Sequence, residues 1–413
     1  MEKQAALLLA LCAMFLWGSW ANTLLLFGTR FELYLFNYIL GHFLAGFLTF
    51  HDALPSLNDT VSAGGFAMIL LSALAGALFA LGSLLAVASL DLAGMALPTL
   101  ILLSIEMAIG MPMLLLLEGW GTSMQLAYSF LGICLVLLAA FLDAWCHGSL
   151  QRDRNSNGSE GGPGHCFGLS SQFSSLSFWS FRATSTLVPN ATASSLARSL
   201  EAPQDAARLT FLTHGSGALP SSMSSQQVLT GRSGPLPARR VKKANLGLIF
   251  AACGGFCFST WPCLGSLVEG QTQWTTWDSG PKLNASAFFF VYALGAVIAV
   301  LLLLPPLCRW PLHTGVNLNF WRSYSELTPW QHFLGLSGGF AHGLGCLLSI
   351  QAGRVLGNAI AMSITRCQPL VCATWGVLVW GELHGARWKT KVIFGAMLLM
   401  FVLALILFLL AGS

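Results

Sequence analysis

Ten apolar windows, divided five and five by one polar stretch, constrain this chain more than any other feature of its sequence. They run at about 5–27, 33–50, 65–89, 93–117, 126–146, 245–268, 285–304, 331–352, 355–380 and 390–411. Each is within reach of the roughly 20 residues that cross a hydrocarbon core as a helix. Only 9% of the residues are charged and 55% are hydrophobic, where a soluble domain carries about 25% charged side chains. The chain therefore reads as an all-α polytopic membrane protein of ten transmembrane helices. Residues 1–146 form a first group of five spans and 244–413 a second. Between them, 147–243 is a Ser-, Gly- and Arg-rich loop without sustained apolar periodicity, expected to be disordered apart from a short surface helix at 173–181.

Charge and cysteine narrow the partners. The net charge of +4 is small and forms no basic face inside the apolar regions, so no nucleic-acid partner is expected. The eleven Cys are scattered, nearly all in apolar segments, with no CxxC pair and no His/Cys cluster at zinc spacing. No metal or other cofactor is expected, and the thiols read as small buried hydrophobes. The opening apolar run continues to about Phe27 with Trp17 and Trp20 inside it, and reads as a first span rather than a signal peptide.

Lys and Arg set the orientation. With only the insert residues nearest the spans counted, 13 fall in loops after odd-numbered spans, and Lys3, Lys282 and Arg354 on the other side. The insert is expected to be cytosolic and both termini non-cytosolic. The sequons at Asn58 and Asn284 then lie outside, with Asn157 and Asn190 inside and unmodified.

The two halves repeat. At an offset of 263, Gly76, Gly82, Gly94 and Ala96 align with Gly339, Gly345, Gly357 and Ala359, and with one gap Glu118 pairs with Glu382. Phe-Leu-Trp-Gly-Ser-Trp at 15–20 resembles Phe-Cys-Phe-Ser-Thr-Trp at 256–261, which pairs Trp20 with Trp261. Five spans per copy is an odd number, so the second copy inserts upside down. Inverted repeats are a transporter architecture, with substrate held near the midplane between the copies.

The arrangement, with Gly-Ser-Trp in span 1 and Ser-Thr-Trp-Pro in span 6, resembles the drug/metabolite transporter superfamily and, within it, the plant ureide permease family. The closest stretches are 76–110 and 338–382, where Pro-Leu-Val, Trp-Gly and Gly-Glu have counterparts. The resemblance implies secondary active import, driven by protons, of uncharged nitrogen-rich heterocycles such as allantoin and uracil. It also implies a long cytosolic loop between spans 5 and 6. The plasma membrane is the expected location, with an endomembrane as the alternative. Ser83 stands where the family tends to have Asn, and Glu106 and Arg366 occupy positions expected to be uncharged. The insert has no GxxxxGK[ST] loop, so ATP hydrolysis is not expected.

Glu106 is the acidic residue well inside a span and Arg366 the basic one at comparable depth. A charge there is costly unless paired, protonated or facing water. They form either the proton-coupling pair, a substrate contact or a structural ion pair. Trp20 and Trp261, mid-span and repeat-related, suit stacking on a planar heterocycle, or ordinary helix packing. Pro262 makes span 6 a candidate broken helix. Gln368, Gln351, Asn22 and Asn37 offer the paired donor and acceptor that an imide edge needs, or interhelical hydrogen bonds. His42 and His342 are possible proton relays or satisfied structural histidines. The glycine rows read as close-packing surfaces. Trp120, Trp145, Trp310, Trp330 and Trp388 read as interface anchors. A sugar or nucleotide-sugar carrier of the same superfamily and a receptor or scaffold built on the insert are the competing readings. A membrane enzyme lacks the metal or acid/base clusters it would need within the spans.

Overall fold

The computed structural model describes residues 2–28, 31–93, 96–119, 121–158, 238–271, 281–309 and 319–413. The short helix expected at 173–181, the repeat residue Gly94, the anchors Trp120 and Trp310, and Asn190 lie outside them. The chain divides into a unit of residues 1–184 and 242–413 and a second of 185–241. Of the second, only the opening turn of one helix, from Ala238, is described.

All described secondary structure is helical. The helices are α1 (Lys3–Ser19), α2 (Ala21–Phe27), α3 (Phe31–Phe47), α4 (Phe50–Ser62), α5 (Phe66–Ala93), α6 (Ala96–Ile105), α7 (Met111–Glu118) and α8 (Ser123–Gly158) in the first half. In the second they are α9 (Ala238–Glu269), α10 (Ala285–Arg309), α11 (Phe320–Ser325), α12 (Pro329–Leu356), α13 (Asn358–Thr365), α14 (Pro369–Leu378) and α15 (Trp388–Gly412). Among the described residues, eight helical segments are long and apolar enough to cross a membrane, and nine if a bent pair counts as one. The protein is thus an integral, multi-pass helical membrane protein.

The two windows missing from the eight have physical reasons. The second yields α3, of 17 residues, after which the chain bends by 78° into α4. The ninth is cut into α13 and α14, of 8 and 10 residues. At the other extreme α8 and α9 outrun their windows, continuing to Gly158 and starting at Ala238, so helix enters the expected loop from both sides.

The most extensive packing pairs α8 with α15, α3 with α12 and α5 with α10. Glycine sets how closely the last two approach. A Cβ on Gly41 would overlap the carbonyl of Leu336, and one on Gly339 that of Tyr38. In the α5–α10 pair, Gly76 meets the carbonyl of Tyr292 and Gly295 that of Ala73. Each pair therefore packs backbone on backbone, which only small residues allow in lipid. Exposed Trp145, Trp330 and Trp388 face outward, as anchors would. Of the two sequons, Asn58 is exposed on α4. Asn284 accepts the Ala287 amide at 2.7 Å and donates to the Asp52 carbonyl at 3.2 Å, so its side chain is engaged as a cap.

Candidate functional site

Three of the apolar windows are interrupted along their length, and each interruption carries a residue singled out from the sequence. Span 1 changes from α1 to α2 at Trp20. There the Thr23 amide turns to the Trp20 carbonyl at 3.0 Å, which also accepts the Thr23 hydroxyl at 2.7 Å, and the Asn22 side-chain amide donates to the Ser19 carbonyl at 2.9 Å. Span 4 passes through a π-turn, Glu106–Gly110, between α6 and α7. Pro112, in the first turn of α7, has no N–H for the carbonyl four residues back, and the backbone widens instead of breaking. Span 9 opens at 366–368, where Pro369 starts α14. The Thr365 carbonyl then accepts from the Gln368 amide at 3.0 Å.

The break expected at Pro262 does not occur. The helix α9 runs unbroken through it. Gly254 and Gly255 press this helix against the backbones of α5 and α6, near Ala86 and Leu102, and Ser259 donates to the Ile105 carbonyl at 3.2 Å. One missing hydrogen bond is outweighed by that contact.

Glu106 and Arg366, at two of the interruptions, form a direct ion pair, both buried. The guanidinium also lies over the ring of Trp17, 5.1 Å from its centroid. Trp17 stacks on His342, with centroids 5.2 Å apart and planes within 6°, and its indole N–H donates to the His342 carbonyl at 3.1 Å. His342 in turn meets His42, Nδ1 to Nδ1 at 3.4 Å. A contiguous line of ionic and aromatic groups thus runs from α6–α7 through α1 and α12 to α3.

Trp20 and Trp261 flank this line. Trp20 packs on Tyr38 at 4.9 Å and edge-on to His342 at 6.0 Å. Trp261 packs on Tyr292 at 5.2 Å and edge-on to Phe79 at 6.5 Å. Phe79 stacks on His342 at 5.4 Å, so protein rings fill the space between the two indoles.

The amides divide. Gln368 is buried and its Oε1 has no hydrogen-bond partner; Gln351 is half-buried on α12. Asn22 accepts from the Trp380 indole at 2.8 Å. Asn37 accepts from the Tyr324 hydroxyl at 2.7 Å and contacts His332 at 3.2 Å, while its Nδ2 has no partner. The Tyr292 hydroxyl and His42 Nε2 are also buried without one.

Sequence reasoning passed over Trp17, Tyr292 and Phe79. Trp17 was accessible to it, being three residues before Trp20 and hence on the same helix face. It also gave Glu118 no task. Its carboxylate accepts the backbone amides of Asn358 at 3.1 Å and Ala359 at 3.0 Å and the Ser266 hydroxyl at 2.9 Å. An acid at the end of α7 thereby caps the start of α13, the helix that ends at Arg366, and negative charge suits that terminus.

Residues 238–412 match the family model described as ureide permease. The chain is 32% identical over 168 residues to ureide permease 1 of Arabidopsis thaliana, covering 40% of this chain and 41% of that protein. To ureide permease 2 of the same plant it is 30% identical over 165 residues, 40% of each. The aligned part spans about two fifths of the length of these relatives. No solved structure matches.

Proposed function

We propose that this chain is a secondary active transporter, a proton-coupled importer of a neutral ureide or nucleobase of the allantoin or uracil kind, working by alternating access between two inverted five-helix halves. The names of the relatives support the ureide class; the nucleobase is our extension of it. The observation that carries the reading is the set of buried polar atoms without partners, Gln368 Oε1 and the Tyr292 hydroxyl, at an aromatic cluster beside a buried ion pair. Buried polar groups are nearly always satisfied in a resting structure. A flat ring carrying both N–H and C=O groups answers that need: the Gln368 oxygen accepts, the Tyr292 hydroxyl donates, and Trp20 and Trp261 offer stacking faces as the rings between them part. His42 and His342 contribute the floor of the site, Gln351 a further amide, and Asn22 and Asn37 hold the helices around it.

The packing supports the inverted repeat. Exchanging the halves turns the α3–α12 pair into α10–α5, each joined by two reciprocal glycine contacts, and maps α8–α15 onto itself. Glu106 takes a proton on one side of the membrane, the pair with Arg366 opens, and the interruptions at 106–110 and 366–368 let the two broken spans swing. The plasma membrane is the proposed location, with the insert cytosolic.

The test is uptake of radiolabelled allantoin, uracil and a hexose into a transport-deficient host, with and without a protonophore. Allantoin or uracil should accumulate and the protonophore abolish it. Glu106→Gln should lose accumulation but keep counterflow, and full uphill uptake by that variant overturns the coupling role.

A further inference from the structure

Beside the ion pair, three side chains with metal-ligating atoms converge on one point. His42 on α3, with His342 and Cys346 on α12, are all buried, and their ligating atoms lie within 4.8 Å of one another. His42 Nδ1 and His342 Nδ1 are 3.4 Å apart, and Cys346 Sγ is 3.7 Å from His342 Nδ1. A metal sits about 2.0–2.1 Å from imidazole nitrogen and about 2.3 Å from thiolate sulfur. At tetrahedral to trigonal angles, such bonds set nitrogens roughly 3.3–3.6 Å apart and nitrogen and sulfur roughly 3.5–3.8 Å apart. Both observed separations fall in these ranges, so two of the three ligand-to-ligand distances already match a bound metal, and the third, His42 to Cys346, is within 4.8 Å.

The fold holds them there. His342 and Cys346 are one helical turn apart and share a face. Gly343 lies against the backbone of His42 itself, where an added Cβ would be 3.0 Å from its Cα and carbonyl oxygen. Trp17, stacked on the His342 ring and bonded to its carbonyl, fixes that residue from behind, as outer-shell groups do for metal-binding histidines.

We propose that His42, His342 and Cys346 bind a soft monovalent d10 cation, Cu(I). Two imidazoles and a thiolate, with no carboxylate among them, exclude Mg2+ and Ca2+ and leave the softer metals. Phe79, Phe289 and Tyr292 pack on His42, and Tyr38, Trp20 and Phe79 on His342. With both imidazoles enclosed by these apolar rings, three-coordinate Cu(I) fits better than zinc, which takes a fourth ligand. Charge points the same way. Cys346 gives up its thiol proton to solvent as the metal–sulfur bond forms, and Cu(I) with one thiolate is neutral. A divalent ion would leave a net positive charge in an apolar core, whose other buried cation, Arg366, is already balanced by Glu106. The spacing in the sequence conceals this site, since His42 is 300 residues from His342, and the expectation of no metal rested on spacing alone.

The experiment uses the purified full-length protein in detergent under anaerobic conditions, titrated with Cu(I) in competition with bathocuproine disulfonate, whose Cu(I) complex is coloured. Wild type should retain one more copper per chain than Cys346→Ser, His342→Gln or His42→Gln. Loss of a ligand should weaken retention by more than the about 10–100-fold that removing an outer-shell partner costs. X-ray absorption at the copper edge should show nitrogen and sulfur together in the extra site. Size-exclusion elution and thermal melting check that each variant is folded. His42→Gln, on a different helix, keeps the comparison decisive if the α12 variants do not fold. Equal copper retention by wild type and folded variants, or a shell of sulfur alone, overturns the site. Retention of Zn2+ in preference to Cu(I) overturns the assignment of a monovalent ion.

Discussion

Glu106 and Arg366 meet in the middle of the helix bundle, Asp153 and Arg387 at the foot of α8 and α15. Both are acid and arginine pairs that join the first half of the chain to the second. In the centre, each partner sits at an interruption of its own helix, and the pairing rests on side chains alone. At the α8–α15 contact, Asp153 Oδ2 accepts the Thr390 hydroxyl at 2.7 Å and the backbone amide of Arg387 at 2.9 Å, while the guanidinium stands 3.5 Å from Oδ1. Those bonds cap the first turn of an unbroken 25-residue helix. The difference separates a joint from an anchor. The central pair can open without breaking a helix, whereas the peripheral one fastens backbone to carboxylate. Glu118 is intermediate, since it caps backbone amides, but those of the short helix that leads to Arg366.

The largest expected effect comes from removing one central partner. Arg366→Ala should destabilise the protein by about 3–5 kcal/mol, because Glu106 is left buried without its counter-charge. The double variant Glu106→Gln, Arg366→Met should recover most of that. Thermal unfolding in detergent measures both, and equal melting of the single and double variants would show that the charge pair is not what holds the centre.

Glu118→Gln should cost about 1.5 kcal/mol, the loss of a charge-assisted bond, and raise hydrogen exchange at the Asn358 and Ala359 amides. Unchanged protection there would remove Glu118 from its capping role.

Asp153→Asn should have the smallest effect, and one that depends on pH. The Thr390 hydroxyl, then the Arg387 amide, hold the Asp153 carboxyl below its ordinary value, which is about 3.9 in an unfolded chain. A carboxyl with a depressed native value contributes stability above the unfolded value and loses it as pH falls through the native one. Wild type and Asp153→Asn should therefore melt apart at pH 7 and converge as the pH drops below about 3.9. A gap that widens on acidification would contradict the anchor.

How far the sequence foretold this contrast depends on what each feature is made of. The central pair was legible because charge is scarce in the spans, so Glu106 and Arg366 stood out by depth alone. The interruptions were not. Proline marks two of the three, the change at Trp20 having none, but Pro112 widens a helix, Pro369 divides one and Pro262 does neither, and neighbouring packing decides among these outcomes. The glycine surfaces were readable as close contacts, though their partners, carbonyls of Leu336, Tyr38, Tyr292 and Ala73, belong to the other half of the chain. Trp17 was readable from its spacing to Trp20 on one helix face, but the repeat drew attention to Trp20 alone. The second and ninth spans were legible as apolar windows, whereas their bend and division are tertiary outcomes.

The reciprocal glycines have a consequence for how this protein tolerates change. At Gly41, Gly76, Gly295 and Gly339 the contact is specified by atoms that are missing, so alanine, the mildest replacement on any chemical scale, puts a methyl group into a neighbouring backbone. On the lipid-facing sides of the same helices, exposed Leu44, Leu70, Leu74 and Leu302 accept any apolar side chain of fitting size. A map of substitutions along these four helices should be read in reverse of size: the smallest residues mark the positions with least freedom, and the bulkiest those with most.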